Sequence, residues 1–562
     1  MLHRTILRRA RWISSVTIPL LLGCSPSHDV GEAGVSSSAS SESDLVTSPE
    51  ANLRNVVPAP VSVHSRAGHN HTITSNTVIG VDAASHQARH VGEYLASLLR
   101  PATGYALPVL PAVTPLHDGI TLLLRDCHDE RLSKEGYELD VDTDGIVIRA
   151  ADGRGLFAGV QTLRQLLPAN IESAKPVKDA WAVAGAHIID YPKLEFRGAM
   201  LDVSRHFFGV DIVKRYIDDI VRYKMNHLHL HLTDDQGWRI QIDAWPQLTA
   251  IGSGSDVVGG PGGFYTKADY QEIVRYAASR HITIIPEIDM PAHINAALAS
   301  VPKLNCNDRS PPLYTGSNSG FPSLCMDAAH RDFVIKFIDD VVRELAKITP
   351  GPYIHLGGDE AQGTALADYI AFEQRVLPIV SRYGKTVIGW DPDLLKAKPD
   401  PKTTLIQYWW ITPTDDALKA AAKRGSKFLL SPGDITYLDT KYTESTPIGQ
   451  NWMALIEVKD AYSWDPATYL TGVPTSQIVG FEAPLWTETI SNLADIEYMI
   501  YPRLPAHAER GWSPASHTWD DFKVRLAAQG PRWKLANINY YASPQVPWPV
   551  DIRTSLSSLK EP

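Results

Sequence analysis

Cysteine is scarce in this chain, with four in 562 residues, and the sequence lacks the Cys-x-x-Cys spacing typical of zinc sites. Basic clusters are lacking beyond the extreme N-terminus, and the net charge is −10. Because nucleic-acid-binding proteins present a basic face, no nucleic-acid partner is expected. The 14 Trp and 22 Tyr exclude a disordered chain, since disordered chains carry few aromatic residues.

The N-terminus has the features of an export signal. Four arginines among the first eleven residues precede an apolar stretch at residues 12–23, which is too short to span a bilayer. The stretch is followed by Cys24 and resembles a bacterial lipobox, although Leu22 replaces the usual small residue. We therefore predict an exported protein with a signal peptide over residues 1–24 and a lipid anchor on Cys24 as its only membrane contact. An ordinary signal peptide with an incidental cysteine is the alternative.

Residues 25–55 are predicted to be a flexible tether, because Ser, Gly, Glu and Asp dominate them and apolar residues are few. Beyond the tether, Cys306 and Cys325 lie 19 residues apart in a stretch rich in Pro, Gly and Ser. An exported protein can form disulfides, so we predict that these two cysteines are bridged. Cys127 has no evident mate and is predicted to be buried.

Residues 56–190 predict a small α/β domain, an α+β sandwich. Residues 137–141 alternate in polarity, the turn at 143–145 contains Gly145, and 146–148 supply the second arm of a hairpin. Residues 152–167 then place leucines at helical spacing. No reactive residues converge in this region, so we predict a structural, non-catalytic role.

Residues 191–548 alternate between strand and helix patterns, followed by a tail at 549–562. The predicted strands are 196–203, 227–233, 282–288, 353–357, 386–390, 404–409, 427–431 and 478–486. Eight strands alternating with helices predict a (β/α)8 TIM barrel. A doubly wound open sheet is the alternative, but no Gly-rich phosphate loop follows the first strand.

The predicted strand ends carry carboxylates and tryptophans. In a barrel these ends form one rim, where active sites lie. Pyranose rings stack on indoles and their hydroxyls bind charged groups, so this combination suits a sugar. The residues at or just beyond these ends are Arg205, Asp234, His293, Asp359, Glu360, Trp390, Trp409, Trp486 and Glu488.

The sharpest feature is the pair Asp359-Glu360 after the fourth predicted strand. In a regular strand these neighbours would face opposite sides. Both can reach one ligand only if the chain is already leaving the strand, and Gly357 and Gly358 give the backbone that freedom. Two adjacent carboxylates in a desolvated site raise each other's pKa, which suits an acid catalyst near neutral pH.

Five segments resemble the signatures of family 20 glycoside hydrolases, the β-N-acetylhexosaminidases, and most closely their bacterial secreted members. These segments are residues 201–208, 229–238, 286–291, 355–360 and 483–488. The similarity extends from the small domain to about Trp548. Ala292 is a departure, since family members often have Gly before the histidine.

The resemblance implies substrate-assisted catalysis without a cofactor, an exception to the usual two-carboxylate scheme. It makes Glu360 the acid and base, Asp359 the acceptor of the acetamido N–H, and Tyr437 the donor to the acetamido oxygen. The other implied contacts are Trp390, Trp409 and Trp486 around the acetamido methyl and the sugar face, Arg205, Asp439 and Glu488 on ring hydroxyls, and Asp234 and His293 behind Glu360. The implied substrates are N-acetylglucosaminides and N-acetylgalactosaminides, cleaved from the non-reducing end.

Several assignments have structural alternatives. Arg205 could form a surface ion pair, and Tyr437 could be ordinary loop packing. We expect Asp289 to be structural and Trp410 to be core, because Trp410 adjoins Trp409 and should point the other way.

Two other functions compete with the glycosidase. His227, His229 and His231 share one face of a strand, which suits a metal-dependent barrel hydrolase, but His293 is the only obvious further ligand. A non-catalytic sugar-binding lipoprotein would use the same tryptophans, yet it has no use for Glu360 beside Asp359.

Overall fold

The computed structural model describes residues 48–125, 130–132, 134–318, 323–514 and 516–549. The predicted signal peptide with Cys24, most of the predicted tether, Cys127 and nearly all of the predicted tail lie outside these ranges. Among the helices in these ranges, none is long and apolar enough to cross a membrane.

The first part of the described chain forms a small α/β domain. Its strands are β1 (Ser62–Ser65), β2 (His71–Thr72), β3 (Ile79–Asp82), β4 (Val109–Ala112), β5 (Gly119–Leu124), β6 (Tyr137–Asp142), β7 (Gly145–Ala150), β8 (Ala182–Val183) and β9 (Ala186–Asp190). One sheet has the order β1-β9-β6-β7-β5-β3-β4, and β2 pairs with β8. The helices are α1 (Pro49–Arg54), α2 (His86–Thr103) and α3 (Gly153–Leu166).

Local sequence explains these elements. The predicted hairpin is present, with Tyr137–Asp142 antiparallel to Gly145–Ala150 and Gly145 at the turn. Helix α3 begins at the cap residue Asp152, whose side chain accepts from the Arg154 N–H, and the helix buries its apolar face. The prediction of a tether to residue 55 is wrong at its end, because α1 forms there and buries Leu53 in the core.

The second part of the described chain is a closed barrel. Its strands are β10 (Phe196–Asp202), β11 (His227–His231), β12 (Thr283–Glu287), β13 (Tyr353–His355), β14 (Thr386–Asp391), β15 (Thr404–Tyr408), β16 (Lys427–Leu430) and β17 (Ile478–Leu485). The strands are arranged around the barrel in chain order, each parallel to its neighbours, and β10 pairs with β17 to close the ring. The predicted TIM barrel is confirmed, and closure excludes the open sheet.

Helices connect the parallel strands, as crossovers between such strands require. The helices of this part are α4 (Val210–Val221), α5 (Gln247–Ala250), α6 (Lys267–Ala278), α7 (Asn295–Ser300), α8 (Arg331–Ile348), α9 (Leu366–Arg382), α10 (Asp393–Lys396), α11 (Asp416–Lys423), α12 (Val458–Tyr462), α13 (Leu493–Ile500), α14 (Arg503–Trp512), α15 (Trp519–Ala527) and α16 (Gly530–Leu535). Short 3₁₀ turns occur at Glu130–Leu132, Ala169–Glu172, Val257–Gly259, Pro302–Leu304, Pro466–Thr468 and Thr475–Gln477.

The long segment between α7 and α8 carries the predicted disulfide. Cys306 and Cys325 are bridged, with their Cα atoms 5.1 Å apart. The Leu324 N–H next to the bridge donates to the Pro291 carbonyl at 3.0 Å. The bridge therefore fixes this segment against the chain just beyond the carboxyl end of β12.

Candidate active site

A pocket opens where the carboxyl ends of the barrel strands meet. It contains about 510 Å³ of empty space including its open mouth. The side chains that line it are Arg205, Asp234, Asp289, His293, Asp359, Glu360, Trp409, Tyr437, Asp439, Gln450, Trp452, Trp486 and Glu488. All of the predicted site residues except Trp390 are in this lining.

The turn after β13 brings both carboxylates of Asp359-Glu360 to the pocket. Strand β13 ends at His355, two residues earlier than predicted. Gly357 and Gly358 then adopt φ of 68° and 102°, and Glu360 has φ of 50°. A Cβ at Gly357 would lie 1.7 Å from Asp289 Oδ1, so only glycine fits. The chain has left the strand before the pair, and the alternation of a strand no longer separates the two side chains.

Glu360 is supported by a histidine and an aspartate. His293 Nε2 lies 3.4 Å from Glu360 Oε2, and His293 Nδ1 lies 3.3 Å from Asp234 Oδ1. Burial alone would lower the pKa of His293, but the carboxylates of Asp234 and Glu360 outweigh burial and raise it well above its ordinary value. A protonated His293 can donate to the Asp234 carboxylate and to Glu360 Oε2, an oxygen that can accept in both the acid and the carboxylate form of Glu360, so His293 orients Glu360 toward the pocket.

Asp359 presents an acceptor to the pocket. Its Oδ1 is buried and makes no hydrogen bond to any residue in the described chain. Burial raises the pKa of Asp359 to about 7, and the Glu360 carboxylate adds to this while His293 opposes it. A buried acceptor of this kind is costly unless a ligand donor meets it.

Aromatic rings form one wall. Trp390, Trp409 and Tyr437 make a buried cluster, against which Trp486 packs. The Trp390 and Trp486 ring centroids are 6.0 Å apart, and those of Tyr437 and Trp486 are 6.2 Å apart. Trp390 is 1 % exposed and lies behind the lining, so it supports the wall instead of forming its surface. The Tyr437 pKa is raised well above its ordinary value by burial and by nearby carboxylates, so its hydroxyl remains a donor.

Charged groups close the far end. The Arg205 guanidinium lies 4.9 Å over the Trp486 ring and pairs with Asp234 Oδ2 at 2.8 Å. Arg205 is buried, so it does not form the surface ion pair considered above. Arg205 Nε and Glu488 Oε2 are buried without hydrogen-bond partners among the described residues. Burial and Glu488 raise the pKa of Asp439 well above its ordinary value. These atoms can donate to or accept from ring hydroxyls.

Three lining residues were not predicted as site residues. Asp289 accepts the Gly358 N–H at 3.2 Å, so it supports the turn, as its expected structural role requires, and also faces the pocket. Gln450 and Trp452 come from the long segment after β16, which has no strand periodicity to reveal them. Trp452 is 60 % exposed at the mouth. The prediction that Trp410 is core is wrong, because it is 39 % exposed.

Histidine and carboxylate groups also meet in clusters that could hold a metal ion. One cluster has ligand atoms of Asp289, His293 and Asp359 within 4.8 Å of one another, and another joins His229, Glu287 and His355. His229 and His355 stack, with ring centroids 4.6 Å apart, and both lie beside Glu287. His227 instead stacks on Phe196 and does not join these clusters. This arrangement does not support the three-histidine metal site.

The chain matches known protein families over most of its length. Residues 194–369 and 364–515 match the family model described as "Glycosyl hydrolase family 20, catalytic domain", and residues 53–191 match "Glycosyl hydrolase family 20, domain 2". The chain belongs to glycosyl hydrolase family 20. It is therefore a glycoside hydrolase of the β-N-acetylhexosaminidase class.

Individual relatives of this family 20 enzyme agree. The β-N-acetylhexosaminidase of Cellulomonas fimi is 38% identical over 497 residues, covering 88% of this chain and 97% of the relative. The structure of the β-N-acetylhexosaminidase from Streptomyces coelicolor A3(2) is 54% identical, with a TM-score of 0.84, covering 88% of this chain and 99% of that one. A mutant Streptomyces plicatus β-hexosaminidase in complex with the product GlcNAc is 55% identical, with a TM-score of 0.84, covering 88% and 98%.

Proposed function

We propose that the enzyme releases terminal, non-reducing β-linked N-acetylglucosamine or N-acetylgalactosamine with retention of configuration. The observation that carries this proposal is the placement of Asp359 and Glu360 in one pocket, with the buried acceptor Oδ1 of Asp359 free for an amide donor. A plain sugar offers no such N–H at C2. The relative whose structure holds GlcNAc supports the choice of sugar.

The first step needs a nucleophile and an acid. Glu360 donates its proton to the glycosidic oxygen as the bond from C1 to that oxygen breaks. The 2-acetamido oxygen attacks C1, giving an oxazolinium ion. Asp359 accepts the acetamido N–H and stabilises the positive charge, while the Tyr437 hydroxyl donates to the acetamido oxygen. The Glu360 carboxylate then takes a proton from water, the water oxygen attacks C1, and the acetamido group is restored.

The closed end of the pocket supports exo action. Arg205 and Asp439 are buried and Glu488 is half-buried, so their side chains bind the hydroxyls of a terminal sugar and close the pocket to a further residue in that direction. The wall formed by Trp409 and Trp486 limits the acyl group to a small methyl.

A panel of aryl β-glycosides differing at C2 and C4 tests the proposal. We expect turnover of both N-acetylated epimers and essentially none of the plain glucoside, because Asp359 and Tyr437 then have nothing to orient. The first product, read by NMR before mutarotation, should be the β anomer. Comparable rates on the plain glucoside, or an α product, would contradict the mechanism. Loss of activity in EDTA that zinc restores would favour the metal hydrolase, and no turnover at all would favour a sugar-binding protein.

A further inference from the structure

The barrel interior contains a carboxylate to which the mechanism gives no role. Glu287 is the last residue of β12 and is fully buried. Its Oε2 forms a short hydrogen bond with His231 Nδ1 and lies 3.0 Å from His229 Nε2. Its Oε1 accepts the Trp390 Nε1–H at 2.9 Å. One side chain therefore joins two histidines of β11, the strand on one side of β12, to a tryptophan of β14, two strands away on the other side.

The first of these contacts leads to the acid. His231 uses its other ring nitrogen, Nε2, to contact Asp234 Oδ2 at 2.8 Å. Asp234 in turn contacts His293, which contacts Glu360. Each of these contacts joins a buried side chain to an oppositely charged or titratable one, and hydrogen bonds between such groups are strong and directional in a low-dielectric interior. A displacement of one side chain in this series is therefore passed on to the next.

The second contact leads to the wall of Trp409, Tyr437 and Trp486 that is proposed to enclose the acetamido group, here called the acetamido wall. Trp390 is held by its single N–H donor on Glu287 and packs with Trp409 and Tyr437. An indole with no other partner for its N–H would be free to tilt within the cluster. Its tilt would move Tyr437 and Trp486, which contact the pocket directly.

We propose that Glu287 is a positioning residue that sets the geometry of the acid Glu360 and of the acetamido wall together, a role that rests on the function proposed above. Burial opposes its ionisation, but His355, His231 and His229 hold the pKa of Glu287 well below its ordinary value, so it accepts from both sides as a carboxylate. A neutral amide cannot accept from both sides through both of its atoms.

Two ratios measured on one protein sample report the two contacts. A leaving group of low pKa needs little help from Glu360, so the kcat/KM ratio of the 2,4-dinitrophenyl to the phenyl glycoside measures how well the acid is placed. The ratio of N-acetyl to N-propionyl substrate measures the fit of the wall. Neither ratio depends on how much of the sample is folded, so a purely structural role would leave both unchanged.

The test compares Glu287→Gln with the matched control Glu482→Gln. Glu482 is equally buried in the barrel and also contacts His229, through Nδ1 at 3.0 Å, but it has no recorded contact with His231 or Trp390. We expect Glu287→Gln to lower kcat/KM for the phenyl glycoside by about 10- to 100-fold, the cost of a small misplacement. The dinitrophenyl rate should fall by only a few-fold, and the preference for N-acetyl should weaken.

The control should change the melting temperature but neither ratio. If the wild type is active and Glu287→Gln also leaves both ratios unchanged, the positioning role is refuted. A wild type without activity on either substrate would refute the proposed function instead. In a protein that already carries His293→Gln, adding Glu287→Gln should cause no further change in the leaving-group ratio. If the effects of the two substitutions were instead additive, Glu287 would not act on Glu360 through His293. If Glu287→Gln does not fold, Glu287→Asp keeps the charge but retracts it, and the same two ratios decide.

Discussion

Asp359 and Glu360 are adjacent in the chain but have different surroundings. Glu360 reaches the pocket beside His293, while Asp359 is half-buried and its buried Oδ1 accepts no hydrogen bond from the described residues. These different surroundings fit the proposed roles of Glu360 as the acid and Asp359 as the charge-stabilising acceptor. Replacing the acid alone tests this division of roles, because Gln preserves the shape of Glu360 but cannot give up a proton.

We predict that Glu360→Gln lowers kcat by about 100-fold or more, which is the scale of lost acid catalysis. Initial rates with a phenyl glycoside measure it. Glu444→Gln is the control, since Glu444 is exposed and belongs to no pocket lining described above. Near-normal turnover by Glu360→Gln would remove Glu360 from the acid role.

The raised pKa of Asp359 predicts that kcat/KM begins to fall on the acidic side of its pH profile (the acid limb) at an unusually high pH. In the proposed mechanism the Asp359 carboxylate stabilises the oxazolinium ion by its negative charge, which the neutral acid lacks, and burial first, then Glu360, raises the Asp359 pKa to about 7. The kcat/KM should therefore fall as pH decreases through this range, not near 4. A pH profile measures the limb, and in Asp359→Asn the limb should vanish together with most of the rate. An acid limb at the pKa of an ordinary aspartate would contradict this account.

At the scale of single elements, the strand ends decided which predictions succeeded. Apolar runs identified all eight barrel strands, and residues directly after them, such as Asp234 and Trp486, could be placed at the rim. The prediction for Trp410 failed because β15 ends at Tyr408, so alternation no longer applies to residues 409 and 410. Gln450 and Trp452 lie in a segment without periodicity, and Tyr437 was found through family resemblance alone.

The turn after β13 makes its own prediction. In Gly357→Ala the added Cβ meets Asp289 Oδ1 at 1.7 Å, so the turn must shift and carry Asp359 and Glu360 with it. We expect a loss of kcat of about 100-fold, the scale of an ångström-sized misplacement. Gly384→Ala is the matched control, since Gly384 has a similar φ of 73° but nothing within 4 Å of the added Cβ. The control should lose about 1 kcal/mol of stability and keep its kcat. Equal activities of the two variants would contradict this.

For the whole molecule, the contact between the small domain and the barrel depends on buried charge. Glu172, in the small domain, is reached by Arg164 of α3, by Arg222 just after α4 at 2.9 Å, and by Arg532 of α16 at 3.9 Å. Its side chain is 4 % exposed. One carboxylate therefore ties the domain named as family 20 domain 2 to the barrel that carries the site, and the two parts should unfold together.

We predict that Glu172→Gln destabilises the protein by about 3–5 kcal/mol, because it leaves buried arginines without their counter-charge. Glu195→Gln, at a solvent-exposed pair with Lys134, should cost at most about 1 kcal/mol. Burial opposes ionisation of Glu172, but the arginines hold its folded pKa below the unfolded value of about 4.3. Its contribution is therefore complete above that pH and is lost as pH falls through the lowered folded pKa. Urea unfolding at neutral pH and at about pH 3 should show the difference between wild type and Glu172→Gln shrinking in acid. A difference that stays constant with pH would mean that the carboxylate charge is not what joins the two domains.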